Sequence, residues 1–74
     1  MRVSYGRATN AAYISLTDVD GPGPRETTSA ETPSGVEAWV ALDWNDGRLI
    51  GIDVLDASHF LPDDLLAEAE GRPT

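Results

Sequence analysis

Residues 36–55 read VEAWVALDWNDGRLIGIDVL, and this stretch decides the fold. Apolar and polar side chains alternate from Val36 to Trp44 and again from Arg48 to Leu55, with Asn-Asp-Gly between the two runs. Alternation with a period of two is typical of β-strands, and a glycine-containing turn between two such runs is typical of a hairpin. The stretch therefore predicts a β-hairpin.

The length of the turn decides which side chains of this hairpin share a face. A two-residue loop at 46–47 would place Asp43 opposite Ile50 and mix a charge into the apolar face. A three-residue loop at 45–47 places Leu42 opposite Ile50, and all the aliphatic side chains then share one face. We therefore expect the three-residue loop, which also pairs Val40 with Ile52, Ala38 with Val54 and Trp39 with Asp53.

Weaker strand patterns precede the hairpin. Residues 2–5 and 11–17 are rich in alternating, aromatic and β-branched positions and predict two strands, and the Thr-rich residues 25–32 predict a weak edge strand. Between them, residues 18–24 contain two prolines and two glycines, which break a strand ladder. We expect this segment to be a mobile loop.

A helix is predicted after the hairpin, over about residues 61–70. Pro62 suits a first helical turn, the two aspartates after it favour the positive end of the helix, and Gly71 ends it. Strands joined by short connections pair antiparallel. Residues 1–74 are therefore predicted to be a single α+β domain, in which an antiparallel sheet of four to five strands carries one C-terminal helix packed on one face.

The predicted sheet is apolar on both faces, and one short helix covers only one of them. The second face carries Tyr13, Trp39, Leu49 and Leu55, with Gly51 as a flat position beside Trp39. Aromatic residues dominate the binding energy of protein interfaces. We therefore expect these four large side chains to form an interface or ligand-binding patch, and the chain to be a homo-oligomer, in the first place a dimer.

Composition narrows the class of function. The 74 residues hold 13 acids, five arginines and no lysine, for a net charge of −8, and no cysteine. Without cysteine there is no disulfide or thiol chemistry, and without a basic patch nucleic acid is not an expected partner. No apolar run approaches a membrane span or a secretory signal, so we expect a cytoplasmic protein that binds no membrane. The acidic balance favours a basic protein as partner.

Two motifs carry a resemblance. Ala11-Ala12-Tyr13-Ile14-Ser15-Leu16 follows a turn after Tyr5, and Gly51-Ile52-Asp53-Val54-Leu55-Asp56-Ala57-Ser58 follows the hairpin turn. Together they resemble the bacterial domain-of-unknown-function family 2283, DUF2283. The resemblance implies a small α+β domain with no established catalytic activity, and an antitoxin-like binding role, since some members are encoded beside toxin-like proteins. The first turn departs from the pattern, because residues 6–10 hold no acid where acids are common.

Chemistry-bearing side chains cluster in sequence at Asp53, Asp56 and His59. A carboxylate beside an indole is partly desolvated and suited to proton transfer, and a histidine titrates near neutral pH. A simpler interpretation is that Asp56 ends the strand and caps the next turn, and that His59 is a packed or surface residue. No motif predicts a metal or cofactor, since residues 43–47 lack the glycine and glutamate positions of a calcium loop.

These observations leave two classes of function open. The leading hypothesis is a small acidic, non-enzymatic interaction domain that self-associates and binds or neutralises a basic partner protein. The alternative is a very small cofactor-independent enzyme, of cyclase or isomerase type in secondary metabolism, or a small-ligand binder. In either case the alternative uses an acidic-aromatic pocket at a subunit interface, with Asp53, Asp56 and His59 as the catalytic candidates.

Overall fold

A computed structural model describes residues 1–18, 21–35 and 39–71 of the chain. In these ranges five antiparallel strands form one open sheet, and short helices follow near the C-terminus, which confirms the predicted α+β fold. The elements are β1 (Arg2–Gly6), β2 (Ala11–Ser15), β3 (Arg25–Ala30), β4 (Val40–Asn45), β5 (Arg48–Leu55), α1 (Ala57–Phe60), α2 (Asp63–Glu68) and a two-residue strand β6 (Glu70–Gly71).

The β4–β5 hairpin lies in the middle of the sheet, whose strand order is β3-β4-β5-β2-β1-β6. Strand β2 pairs antiparallel with β5 on one side and with β1 on the other, and β6 adds a short parallel pairing to β1. Strand β3 is the edge strand predicted over residues 25–32, and five of its six residues are exposed. The first predicted strand and the second half of the hairpin are found close to their expected bounds, whereas β4 begins at Val40 and residues 36–38 lie outside the described residues.

The turn between β4 and β5 has two residues, so the predicted three-residue loop is wrong. Asn45 pairs with Arg48, and the two residues between them have positive φ angles, 52° at Asp46 and 78° at Gly47. Two left-handed residues match the twist of the flanking strands, which is why this turn is favoured in hairpins. Glycine adopts that conformation without steric cost.

A β-bulge then corrects the register that the tight turn would impose. Trp44 pairs with Leu49, but the ladder resumes at Asp43 opposite Gly51, so Ile50 is the extra residue. Its carbonyl accepts a hydrogen bond from the backbone of Leu16 at 2.9 Å. Because the bulge shifts the register by one, the aliphatic side chains still share a face, but the pairs are Leu42 with Ile52 and Val40 with Val54.

The helix predicted over 61–70 is found as the shorter α2, and a separate short helix, α1, precedes it. Helix α1 ends at Phe60, because Leu61 and Pro62 are both extended, with ψ of 146° and 145°. A residue that precedes proline is disfavoured in helical conformation, so Leu61 cannot continue the helix. The chain re-enters helical geometry at Asp63, and Asp63 and Asp64 occupy the first turn of α2 as expected.

A buried asparagine attaches the segment before β3 to the hairpin turn. Asn45 is 6% exposed, and its amide nitrogen donates to the carbonyls of Gly23 at 3.3 Å and Pro24 at 3.4 Å. The backbone of Asp46 donates to the carbonyl of Pro24 at 2.8 Å. The mobility expected for residues 18–24 stays a prediction, and residues 19 and 20 lie outside the described residues.

The core is small. Among the described residues, the fully buried hydrophobic side chains are Ala12, Val54 and Ala57, which join β2, β5 and α1. Partly buried hydrophobic side chains pack against these three: Tyr5, Val40, Ile52, Phe60, Leu61 and Leu66. In the described parts of the chain no helix is long and apolar enough to cross a membrane.

The chain is also more open than a self-contained domain of its size. Its accessible surface is 5133 Å² for 7.9 kDa, against about 4,400 Å² for a typical folded monomer of that mass. Its radius of gyration is 12.6 Å, against about 11 Å for a compact domain of this length.

Candidate functional site

Polar side chains meet on the face of the sheet opposite the core. The pairing of the strands places Tyr13 beside Asp53, Asp43 beside Gly51, and Thr27 beside Asp43. These five residues lie on β2, β3, β4 and β5 and are called the Tyr13 face below. The face exists because successive residues of a strand point to opposite sides, so that Tyr13, Asp43 and Asp53 each neighbour an aliphatic residue of the core face.

Asp43 is the acceptor at the centre of the Tyr13 face. Its Oδ2 accepts a hydrogen bond from the Tyr13 hydroxyl at 2.9 Å, and its Oδ1 accepts one from Thr27 Oγ1 at 2.8 Å. The phenol of Tyr13 reaches Asp43 by lying across Gly51, where an added Cβ would overlap the ring. Gly51 is thus the flat position expected from the sequence, but its neighbour is Tyr13 and not Trp39.

The surroundings of Tyr13 raise the pKa of its hydroxyl above the usual value of 10.0. Burial is the main cause, followed by the hydrogen bond to Asp43 and the negative charge of Asp43. Asp53 adds to the increase, and the positive charge of Arg25 opposes it. Tyr13 therefore remains a neutral hydrogen-bond donor throughout the physiological pH range.

The four side chains predicted to form one interface patch are not on one face. Tyr13 lies on the Tyr13 face, and Leu55, which is 46% exposed, follows Asp53 by two residues on the same side of β5. Leu49 is on the opposite side, because the bulge places it across from Trp44. The ring of Trp39 lies 6.1 Å from that of Phe60, so it contacts α1.

The candidate catalytic residues are also separated. Asp53 lies opposite Tyr13 and Ala41, not opposite Trp39 as the three-residue turn would require. The indole expected beside this carboxylate is therefore not its cross-strand neighbour. His59 is exposed on α1, with its ring edge-on to Phe60 at 4.8 Å. Among the described residues no three His, Asp or Glu side chains come close enough to hold a metal ion. A catalytic role for Asp53, Asp56 and His59 stays a prediction.

Asp56 belongs to a hydrogen-bonded corner that the sequence does not predict. Asn10 donates from Nδ2 to Asp56 Oδ1 and to Ser58 Oγ, both at 3.0 Å. Its Oδ1 accepts from the Tyr5 hydroxyl at 2.8 Å and from the Ser58 backbone at 3.1 Å. Asp56 does end β5 and precede α1, as its simpler interpretation held, but its carboxylate makes no cap hydrogen bond to the helix. The carboxylate instead connects the helix start to the first turn.

A second surface lies on the core face, beyond the helices. Ile14, Leu16, Leu42, Trp44, Leu49 and Ile50 are called the open apolar face below; Leu16 is 38% exposed and the other five are half-buried. In the described parts of the chain, Ala57, Phe60 and Leu66 of the two helices belong to the core cluster together with residues of β1, β2, β4 and β5. None of the six residues of the open apolar face belongs to that cluster.

No family model, no curated protein and no solved structure matches this chain. The resemblance to DUF2283 rests on the two sequence motifs alone and stays a prediction.

Proposed function

We propose that this chain is a small acidic, non-enzymatic interaction domain that self-associates and binds or neutralises a basic partner protein. We further propose that it acts in the bacterial cytoplasm, which the resemblance to DUF2283 and the lack of cysteine both favour. The observation that carries the proposal is the sheet with an apolar face that its own helices cover only in part.

Self-association follows from the energetics of a small domain. A chain of this length has little core to offset the conformational entropy of folding, and this one has neither disulfides nor a predicted metal site. Among the described residues the fully buried hydrophobic side chains are Ala12, Val54 and Ala57. Association with a copy buries further apolar surface of the sheet and supplies the missing part of the core.

A basic partner follows from the charge. The net charge of −8 attracts a positively charged protein over distances of about a Debye length and speeds its approach. On the Tyr13 face, two carboxylates flank a phenol ring, and arginine binds carboxylates in a bidentate manner and stacks on aromatic rings. The Tyr13 face therefore offers the better surface for the partner, since it places two carboxylates beside an aromatic ring.

Two measurements test the proposal. Sedimentation equilibrium over a wide dilution series should show a mass above that of the monomer, with dissociation on dilution; a monomer at every concentration would contradict self-association. Binding of a basic partner is tested with a fluorescently labelled arginine-rich peptide, and this binding should weaken as salt is added.

Two variants that each remove one negative charge distinguish binding at the Tyr13 face from attraction by the net charge of the protein. Asp53→Asn and Asp64→Asn each remove one negative charge, the first on the Tyr13 face and the second on α2. We expect Asp53→Asn to weaken binding of the peptide several-fold more than Asp64→Asn. Equal effects would mean that only the net charge acts, and would contradict a partner site on the Tyr13 face.

A further inference from the structure

We infer that the outer edge of β3 receives an extended, arginine-bearing segment of the basic partner, which adds to the sheet as an antiparallel strand. This inference rests on the proposed binding of a basic partner and deepens it by naming the edge and the mode of recognition. Strand β3 is the last strand on its side of the sheet, and among the described residues no strand lies outside it. Its outer side borders the Tyr13 face at Thr27, so a segment bound there is next to the surface proposed for the partner.

The hydrogen bonds between β3 and β4 determine which backbone groups of β3 point outward. The carbonyl of Pro24 accepts a hydrogen bond of 2.8 Å from the backbone of Asp46, one position before the first pair of the ladder. Hydrogen-bonded and non-hydrogen-bonded pairs alternate in an antiparallel ladder, so the even-numbered residues of β3 direct their N–H and C=O groups toward β4.

The odd-numbered residues of β3 direct the same groups away from β4. Thr27 and Ser29 are in this position, and both residues are exposed. An extended peptide that pairs with an open sheet edge gains main-chain hydrogen bonds, and pockets for its alternate side chains give specificity. The outer edge of β3 therefore offers two residues whose N–H and C=O groups can bond to an added strand.

An acidic and an aromatic side chain lie together on the core-face side of this edge. Glu26 pairs with Trp44, and the indole nitrogen of Trp44 donates a hydrogen bond of 2.9 Å to Thr28 Oγ1. The indole therefore extends toward β3, on the side of the sheet that also holds the carboxylate. Because arginine pairs with carboxylates and stacks on indole rings, an arginine opposite Glu26 has two favourable neighbours.

The other charges along β3 set the register of the added strand. Glu31 directly follows β3 and is exposed, so a second arginine fits opposite it. Arg25 begins the strand and disfavours a cation opposite it. The segment that meets these charges has arginines opposite Glu26 and Glu31 and an uncharged residue opposite Arg25. Apolar residues fit opposite Thr28 and Ala30, which are on the same side of the sheet as the indole.

The probe is a fluorescently labelled peptide with this pattern, Arg-Val-Thr-Val-Thr-Arg-Thr. In the antiparallel register its two arginines lie opposite Glu31 and Glu26. The amides of its third and fifth residues, both threonines, then face Ser29 and Thr27, and the amides of its two valines face away from the chain. N-methylation of those two threonines should weaken binding at least about 10-fold, because the hydrogen bonds of both amides are lost. N-methylation of the two valines is the matched control and should change the affinity less than about three-fold.

Variants of the chain test the same edge. Ser29→Pro removes an outward N–H and no hydrogen bond of the β3–β4 ladder, and proline is accepted on an edge strand at such a position. It should weaken binding of the unmodified peptide several-fold, whereas Ser29→Ala, which keeps the N–H, should not. Glu26→Gln should weaken binding several-fold more than Glu68→Gln, which removes the same charge on α2. Fluorescence anisotropy measures the affinities, and far-UV circular dichroism checks that each variant is folded.

The outcomes distinguish this edge from the proposed function on which it rests. If the chain binds neither this peptide nor the arginine-rich peptide, the proposed basic partner itself is contradicted. If it binds the arginine-rich peptide but not this one, or if both N-methylations have the same effect, the basic partner stands and the edge inferred here is wrong. If Ser29→Pro lowers the mass of a wild-type oligomer in sedimentation equilibrium, a second copy occupies the edge, which also overturns the inference. The N-methylated peptides use the wild-type chain, so they decide the matter if Ser29→Pro does not fold.

Discussion

Asn10 and Asp56 both have a left-handed backbone, each with a φ of 53°, and a hydrogen bond of 3.0 Å joins their side chains although they are 46 residues apart. Asn10 closes the turn between β1 and β2, and Asp56 lies between β5 and α1. The backbone carbonyl of Asn10 also accepts a hydrogen bond of 2.9 Å from the backbone of Ala57, a fully buried hydrophobic residue. The corner therefore fixes α1 over the first hairpin at the edge of the core.

The first prediction separates the side chain of Asn10 from its backbone conformation. Asn10→Gly removes the side-chain hydrogen bonds but accepts a positive φ freely, and should lower the free energy of unfolding by about 1–2 kcal/mol. Asn10→Ala removes the same bonds and adds left-handed strain, for a further loss of about 1 kcal/mol. Urea unfolding at a fixed protein concentration measures both. Equal stability of the two variants would mean that the left-handed backbone carries no cost here.

The second prediction concerns the packing of Tyr13 on Gly51. Gly51→Ala places a methyl group where the phenol lies, so the ring must move and give up its hydrogen bond to Asp43. We expect a loss of about 1–3 kcal/mol in the free energy of unfolding. In a Tyr13→Ala background the same substitution should be neutral or slightly stabilising, since alanine restricts the unfolded strand.

A double-mutant cycle from urea unfolding gives the coupling between positions 13 and 51. If Gly51→Ala destabilises the chain equally with and without the phenol ring, then Gly51 is required for a reason other than space for Tyr13.

The third prediction concerns alkaline pH. The pKa of Tyr13 is higher in the folded chain than in the unfolded one, so above about pH 10 the unfolded chain releases this proton first. The stabilising contribution is fully present below that pH and is lost as pH rises through the folded pKa. The free energy of unfolding should therefore fall more steeply above about pH 10 in the wild type than in Tyr13→Phe.

Direct titration checks the cause of this shift. Tyr5→Phe leaves Tyr13 as the only tyrosine, so phenolate absorbance reports its ionisation alone. Asp43→Asn in that background should lower the pKa of Tyr13 toward its ordinary value, because the negative charge beside the hydroxyl is gone. An unchanged midpoint would show that Asp43 does not contribute.

Much of the fold can be predicted from the sequence because it depends on local patterns. The alternation over residues 48–55 predicts β5 with its observed bounds, and Pro62, expected in the first helical turn, lies directly before that turn with an extended backbone. The register of the hairpin depends instead on a bulge, which places one residue outside the ladder. Both loop lengths weighed from the pattern assume an uninterrupted ladder. The two-residue loop gives the observed pairs beside the turn, Asn45 with Arg48 and Trp44 with Leu49, but neither loop gives the pairs beyond the bulge.

The observed neighbours of the candidate site residues differ from the expected ones for the same reason and for one more. A shift of one position beside the turn moves Leu49 to the other face, and a shift of two positions beyond the bulge places Asp53 opposite Ala41 and not Trp39. An error in register therefore becomes an error in the neighbours of each side chain. The corner at Asn10 depends on side chains from distant parts of the chain. In the sequence, this corner is visible only as an asparagine at the end of a turn and an aspartate before Ala-Ser. These two residues are not recognisable as partners until the pairing of β2 with β5 is known.

The last prediction tests whether the extra residue of the bulge can be removed without changing the strand pairing on either side of it. Deleting Ile50 joins Leu49 directly to Gly51, and the pairs on both sides of the bulge, Trp44 with Leu49 and Asp43 with Gly51, then follow one another in a regular ladder. We therefore expect the variant to fold with the wild-type pairing of Val40 and Val54, and to unfold within about 2 kcal/mol of the wild type. Contacts between β4 and β5 measured by nuclear Overhauser effects check the register.

Deletion of Ile52 is the matched control, because it also removes one isoleucine from β5. Ile52 is inside the regular ladder, where it pairs with both Leu42 and Ile14, so its loss reverses the faces of the residues on one side of the gap. That variant should not reach the native fold. If both deletions unfold the chain, the bulge is required for the sheet itself. If only the Ile52 deletion unfolds it, the bulge serves to shape the open apolar face. The Ile50 deletion should then weaken self-association while preserving the fold.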